Sequence, residues 1–387
     1  MNWKKILLIG GVWLPAIFLS GCWDGIELNR IGIVMSTGFD YHRDENMYEV
    51  TLSAIEPVKG QGGATQMKEW KVSAKSTTVF NAIETLRTRS SNQLTWKHCQ
   101  TFVFGSGLEE EAFRAIGDWL FSMTEIRASA YVIFTPTRAK TFIESQPELE
   151  DVLGEEIYGI IAEQPRTGMA AQATLHDLFI SAASPSYTCV AARGEIVHDL
   201  HDKPVPVLYG SGVVRDYKFL GWLKPEETIG YYLARGLPNN ATFPIDYKGE
   251  KVVFETTQNK SRIRPYFKNG QLRIKLEVSM KTRFANTTAG SNKIHSTPHI
   301  IRDLQKTQEQ AIRRIIRQTL EKSKRLKADI LDTGEAVYRF APDYYRKHIA
   351  KWDQIYPQLP IDIQVIVHLR EKGQSQKPLS ELRGGKV

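Results

Sequence analysis

Between Leu272 and Met280 every second residue is apolar: Leu272, Ile274, Leu276, Val278 and Met280 alternate with Arg273, Lys275, Glu277 and Ser279. Only an extended strand places such a pattern on one face, so this segment reads as a half-buried strand with a solvated reverse side. A slip of one residue in its pairing would turn every one of those apolar side chains to water, which pins the register. Asn269-Gly270 just ahead is a two-residue hairpin signal and joins it to an expected strand over residues 261–266, itself preceded by one over 251–256. Downstream, Ile301, Leu304, Ala311, Ile312, Ile315 and Thr319 trace one stripe of a helix expected over residues 301–326. At about 1.5 Å per residue it is about 40 Å long. Ile361, Ile363, Val365 and Val367 then alternate again and return the chain to the sheet over residues 361–369.

The first half has a different rhythm. Residues 31–39 and 48–55 are β-rich runs around a polar turn and read as a hairpin. A helix over 77–87, a strand over 98–104, a helix over 109–125 and a strand over 129–134 follow. Helical patterns near 148–162 and 175–183 lead to a strand over 187–192. The apolar pattern breaks at 198–206, where Pro204 and Pro206 stand among charges, and a strand over 207–214 opens the next stretch. Leu220-Gly221-Trp222-Leu223 introduces a helix near 226–234. The expected fold class is mixed α/β (α+β) and multidomain, with mixed or antiparallel sheets, packed helices and a long amphipathic helix in the C-terminal domain. The expected division is an α/β domain over 22–136, a small helical and strand unit or connection over 137–204, an α+β domain over 205–372, and a polar tail over 373–387.

Residues 1–21 are read separately. Lys4 and Lys5 precede an apolar run from Ile6 to Leu19 that Pro15 interrupts, and Leu19-Ser20-Gly21-Cys22 follows. That run suits a signal peptide better than a membrane span, and the ending has the form of a lipoprotein processing site. Cleavage is expected between Gly21 and Cys22, with the Cys22 thiol carrying a diacylglyceryl group. The chain has no second long apolar stretch, so the lipid is the expected membrane attachment. With 42 % hydrophobic and 24 % charged residues, the rest reads as globular. A formal charge of +8 favours an anionic lipid surface or polyanionic wall material, while export argues against a nucleic-acid partner. Cys99 and Cys189 both lie in apolar strand-like segments, which favours two buried free thiols over a bridge.

His198-Asp199-Leu200-His201-Asp202 is the best metal candidate, but the nearby prolines favour a solvated polar turn. His295 and His299 flank a Ser-Thr-Pro loop and are weighed the same way. No nucleotide loop, zincin helix or nucleophile elbow is present, so no catalytic residue, metal site or cofactor is expected. The second half of the long helix carries Arg313, Arg314 and Arg317, either a contact with headgroups or an acidic partner, or the solvated back of a core-packed helix. Trp222, Trp352 and Tyr356 suit an interface anchor or the core. Trp222, Arg313, Arg314 and Arg317 are the partner-contact candidates.

Several segments together resemble the Ger(x)C family, the lipoprotein C subunits of spore germinant receptors. The resemblance rests on Gly21-Cys22-Trp23-Asp24 with Glu27-Leu28-Asn29, on the IGIVMSTGFDY strand from Ile31, and on QTFVFG from Gln100. It continues with VVRDYKFLGWL from Val213, Ala328-Asp329 with Gly334-Glu335, and Trp352-Asp353-Gln354-Ile355-Tyr356-Pro357. Lys97-His98-Cys99 departs from the family's usual Gly-His pair and aliphatic residue, a change that concerns local packing. The resemblance implies a three-domain α/β protein at the outer face of the spore inner membrane, in complex with an A subunit and a transporter-like B subunit. It implies a non-enzymatic subunit of a nutrient germinant receptor. The alternatives are an extracytoplasmic solute-binding lipoprotein, or one that acts on the cell wall.

Overall fold

The computed structural model describes residues 30–59, 65–237, 242–287 and 298–370. Its larger sheet holds β1 (Ile31–His42), β2 (Met47–Lys59), β3 (Thr65–Ser76), β4 (Gln93–Thr95), β5 (Thr101–Phe104), β6 (Tyr131–Phe134), β7 (Cys189–His198), β8 (Pro204–Arg215) and β9 (Lys218–Leu223). The strand order is β3-β2-β1-β5-β6-β7-β8-β9, with short β4 beside the start of β1. The middle strands run parallel and the flanks are antiparallel meanders. Expectation and structure agree on a mixed α+β fold.

The short apolar runs explain the parallel centre. All four residues of Thr101–Phe104 are buried, because parallel strands are covered on both faces. Phe102 and Phe104 enter a core with Val132 and Phe134, and Val103 and Ile133 enter another on the opposite face. Helices α1 (Val79–Arg87), α2 (Glu110–Ser122) and α5 (Leu175–Ala183) cover the first face. There Phe104 lies 4.9 Å from Phe113 and 5.4 Å from Phe134 between ring centroids. Helices α3 (Ala139–Glu144) and α4 (Leu153–Thr167) cover part of the other. Residues 137–204, expected as a small separate unit, thus supply three of the covering helices, α3, α4 and α5, and β7 of this sheet.

The second unit comprises α6 (Pro225–Ala234), β10 (Thr242–Tyr247), β11 (Glu250–Lys268), β12 (Gln271–Thr287), α7 (Pro298–Arg325), α8 (Thr333–Phe340), α9 (Pro342–His348), α10 (Trp352–Ile355) and β13 (Ile361–Arg370). Its sheet order is β10-β11-β12-β13. Leu272, Ile274, Leu276, Val278 and Met280 are all buried, as their alternation requires. Asn269 and Gly270, both at positive φ, form the tight turn between β11 and β12. The two strands expected over 251–256 and 261–266 are one strand, β11, whose register shifts at Val253/Phe254 and Thr256/Gln258 break the alternation. β13 pairs parallel to β12 from Ile274↔Ile361 to Arg283↔Arg370, which the long α7 crossover permits. The buried stripe of α7 runs through Leu304, Gln308, Ile312, Ile316, Leu320 and Ser323, with Ile301, Ala311 and Ile315 half-buried beside it.

The boundary expected at 204/205 falls in a hairpin. β7 and β8 pair from His198↔Pro204 to Cys189↔Val214, so strands on either side of that boundary share one sheet. The second core also reaches across it. Val190, Val213 and Leu223 of the larger sheet pack with Leu233 and Ala234 of α6 and with Ile312, Ile316 and Leu320 of α7.

After α7 the chain is organised by one buried carboxylate. Asp329 accepts hydrogen bonds from Thr333 N at 3.0 Å, Thr333 Oγ1 at 2.7 Å, Gly334 N at 2.8 Å and Trp352 Nε1 at 2.9 Å. Burial pushes this carboxyl above its usual range, against the four donors that pull it down. Tyr356 Oη bonds Ser323 Oγ at 2.6 Å and ties α7 to the same cluster. Removing the carboxylate leaves enclosed donors unpaired, so Asp329→Ala should cost at least about 3 kcal/mol in denaturant unfolding. A loss below about 1 kcal/mol would show that the cluster is not needed.

Candidate functional site

Gly21 and Cys22 lie outside the described residues. The described chain enters at Arg30 and passes directly into β1, an interior strand of the larger sheet. Among the described residues no helix is long and apolar enough to cross a membrane.

The partner-contact candidates divide. Trp222 is half-buried on β9, its ring 4.6 Å from Phe219, with the Arg193 guanidinium 4.9 Å from its centroid. Arg313 is half-buried, with its Nε enclosed and without a hydrogen-bond acceptor, whereas Arg314 and Arg317 are exposed on the outer side of α7. Trp352 and Tyr356 are core residues at 1 % and 0 % exposure, which decides against either as an interface anchor. Residues 199–203 form the β7–β8 turn, where Asp199 Oδ1 accepts from His201 N and Lys203 N at 2.8 Å each. Its carboxylate serves the turn, and no cluster of metal-ligating side chains occurs among the described residues. His295 lies outside the described residues and His299 is exposed. Cys99 and Cys189 are buried free thiols, and burial pushes both up, Cys99 to about 12, which suppresses thiolate chemistry.

The seam between the two units carries charge that the sequence reading missed. Arg235 follows α6 and Asp332 precedes α8, and they pair at 2.7 Å. The guanidinium also lies 5.5 Å from the Tyr231 ring centroid and donates to Ile330 O at 3.4 Å. Ser186 and Tyr187 of the first unit meet Ser261, Asp332 and Glu335 of the second around a cavity of about 620 Å³. Tyr187 Oη donates to Asp177 at 3.0 Å, Ser186 Oγ bonds Tyr345 Oη at 2.8 Å, and Arg339 pairs with Glu335 at 3.0 Å. The ion pairs here lie within the second unit, and the Ser186–Tyr345 hydrogen bond crosses between the two. The separation of Arg235 from Asp332 along the chain hid the pair.

Burial raises the Asp332 carboxyl from 3.8 to about 6, with Arg235 opposing the shift. A folded value above the unfolded one means that the folded protein binds this proton more tightly. That stability is fully present below about pH 4 and is lost as pH rises through about 6. The difference in thermal midpoint between the protein and Asp332→Asn should therefore change between about pH 4 and 6 and flatten above about pH 7. A difference that stays constant over the whole range would refute the raised value.

A larger mixed sheet and a smaller sheet joined through a shared core define a two-unit α+β protein, and its relatives narrow that class. The family model described as spore germination protein N-terminal domain matches residues 24–195, and that described as spore germination B3/GerAC-like, C-terminal, matches 209–373. The chain belongs to the Ger(x)C family of spore germination proteins. It is 25 % identical to spore germination protein KC of Bacillus subtilis (strain 168) over 97 % of this chain and 98 % of that one. It is 21 % identical to spore germination protein B3 of the same organism, over 88 % of this chain and 91 % of that one. The crystal structure of the GerBC protein superposes with a TM-score of 0.56 at 16 % identity, covering 86 % of this chain and 96 % of that one, which shows a shared fold. The interval between the two matched stretches contains the β7–β8 turn.

Proposed function

We propose that this chain is the lipid-anchored, non-enzymatic C subunit of a nutrient germinant receptor, required for spore germination through complex formation. The observation that carries the reading is end-to-end similarity to spore germination protein KC, with family matches in both halves. The two sheets differ in size and topology, which disfavours a solute-binding protein built from two like lobes. In this reading Cys22 carries the anchor at the outer face of the spore inner membrane, and the partners are the A and B membrane subunits. Two acyl chains at about 0.8 kcal/mol per buried methylene give lasting attachment where one chain gives only reversible binding. Arg314 and Arg317, exposed on α7, and the Trp222 cluster are the contact surfaces offered to those subunits.

Spores carrying Cys22→Ala test the anchor and the role together. The variant should leave the membrane fraction, lack the acyl mass at its N-terminus, and germinate poorly on nutrients. Arg314→Glu with Arg317→Glu should keep the anchor and stability, within about 0.5 kcal/mol, yet weaken co-purification with the membrane subunits. Normal nutrient germination without the anchor would overturn the proposal.

A further inference from the structure

At the end of the larger sheet where β1, β5 and β6 begin lies a hollow of about 470 Å³. Ile33 and Met35 of β1 line its apolar floor, and Gln100 and Tyr131 stand at the starts of β5 and β6. Helix α4 closes it from above. Its second residue, Gly154, approaches β1 so closely that a Cβ there would lie 2.6 Å from Met35 Cβ. That approach brings Glu155 and Tyr158 to the hollow, with the Tyr158 ring 5.6 Å from the Tyr131 ring. Arg127 and His98 complete the rim.

The charges here differ from those at the seam. Arg127 and Glu155 line one hollow, and neither side chain has an ion pair or hydrogen bond among the described residues. Gln100 has its carboxamide oxygen enclosed and without a donor. One free cation, one free anion, an unsatisfied acceptor and a tyrosine pair make a surface of balanced charge with its signs kept apart. A net anion would meet Glu155 and a net cation would meet Arg127, whereas a ligand carrying both signs suits both. Tyrosine faces add attraction for an ammonium group.

We propose that this hollow binds a small zwitterion, its ammonium group held by Glu155, the Gln100 oxygen and the Tyr131 and Tyr158 faces, and its acidic group by Arg127 with His98. This site is independent of the anchor at Cys22. An ammonium and an acid a few bonds apart occur in a free amino acid and in the ethanolamine phosphate headgroup of a lipid, and the chemistry is shared.

The test uses the full mature chain with Cys22→Ser, titrated calorimetrically with glycine, O-phosphoethanolamine, acetate and methylammonium. At least one zwitterion should bind saturably, about tenfold or more tighter than either singly charged probe, a difference of about 1.4 kcal/mol. Glu155→Gln and Arg127→Gln, both at exposed positions, should each weaken it about tenfold or more with an unchanged thermal midpoint. Lys97→Gln, in the neighbouring hollow, should leave it unchanged. Glycine binding without retention on phosphatidylethanolamine vesicles supports the site with a free solute as its ligand. Retention on those vesicles that O-phosphoethanolamine competes away supports it with a headgroup. Failure of both zwitterions to saturate, or equal binding by the wild type and the two glutamine variants, would overturn the proposal.

Discussion

Helix α6 packs against both units at once, and their arrangement depends on it. Thr228, Gly230, Tyr232, Leu233 and Ala234 are all enclosed, whereas Glu226 in its first turn is exposed. Toward the larger sheet, Thr228 Oγ1 bonds Ser211 Oγ at 3.0 Å, and Tyr232 Oη donates to Ala170 O and accepts from Gln172 N. Toward the second unit, Thr319 Oγ1 of α7 donates to Glu227 O at 2.9 Å. Leu233 and Ala234 join strand residues of the larger sheet to the stripe of α7 in a continuous apolar core. Polar groups that are buried and fully paired fix geometry more sharply than apolar contact alone.

From this wedge the rest follows in order. With α6 in place, α7 lies along the smaller sheet, and the chain leaving α7 must turn back to add β13. Asp329 makes that turn by gathering Thr333, Gly334 and Trp352 around one carboxylate. The family segments at Ala328-Asp329, Gly334-Glu335 and Trp352 are thus one cluster in space. Arg235, at the end of α6, meets Asp332 of the same turn, so the wedge and the turn are coupled directly.

Much of this was legible because local periodicity reports burial. The alternation from Leu272 to Met280 gave a buried face without error, and the helix at Leu175–Ala183 has its expected bounds. β3 was hidden because it is an edge strand: Val72 and Ala74 are buried while Lys68 and Lys75 are not, and such an edge reads as polar. Of the stripe expected on α7, Leu304, Ile312 and Thr319 are buried, while Gln308 and Ser323 escaped it because they are buried polar residues, each held by a partner that only folding brings near. Residues 220–223 read as a lead-in to a helix and form the end of β9, where pairing to Ser211–Val213 decides the outcome. The seam pair Arg235–Asp332 and the unpaired Arg127 and Glu155 were out of reach for the same reason, since a charge reveals its partner, or its lack of one, only in three dimensions.

The central claim is that α6 joins both sheets into a single cooperative body, even though the two family matches divide the chain near the β7–β8 turn. Differential scanning calorimetry of the mature chain tests it most directly. A shared core predicts one transition whose calorimetric and van't Hoff enthalpies agree. Two separable transitions, with one sheet surviving the melting of the other, would contradict it.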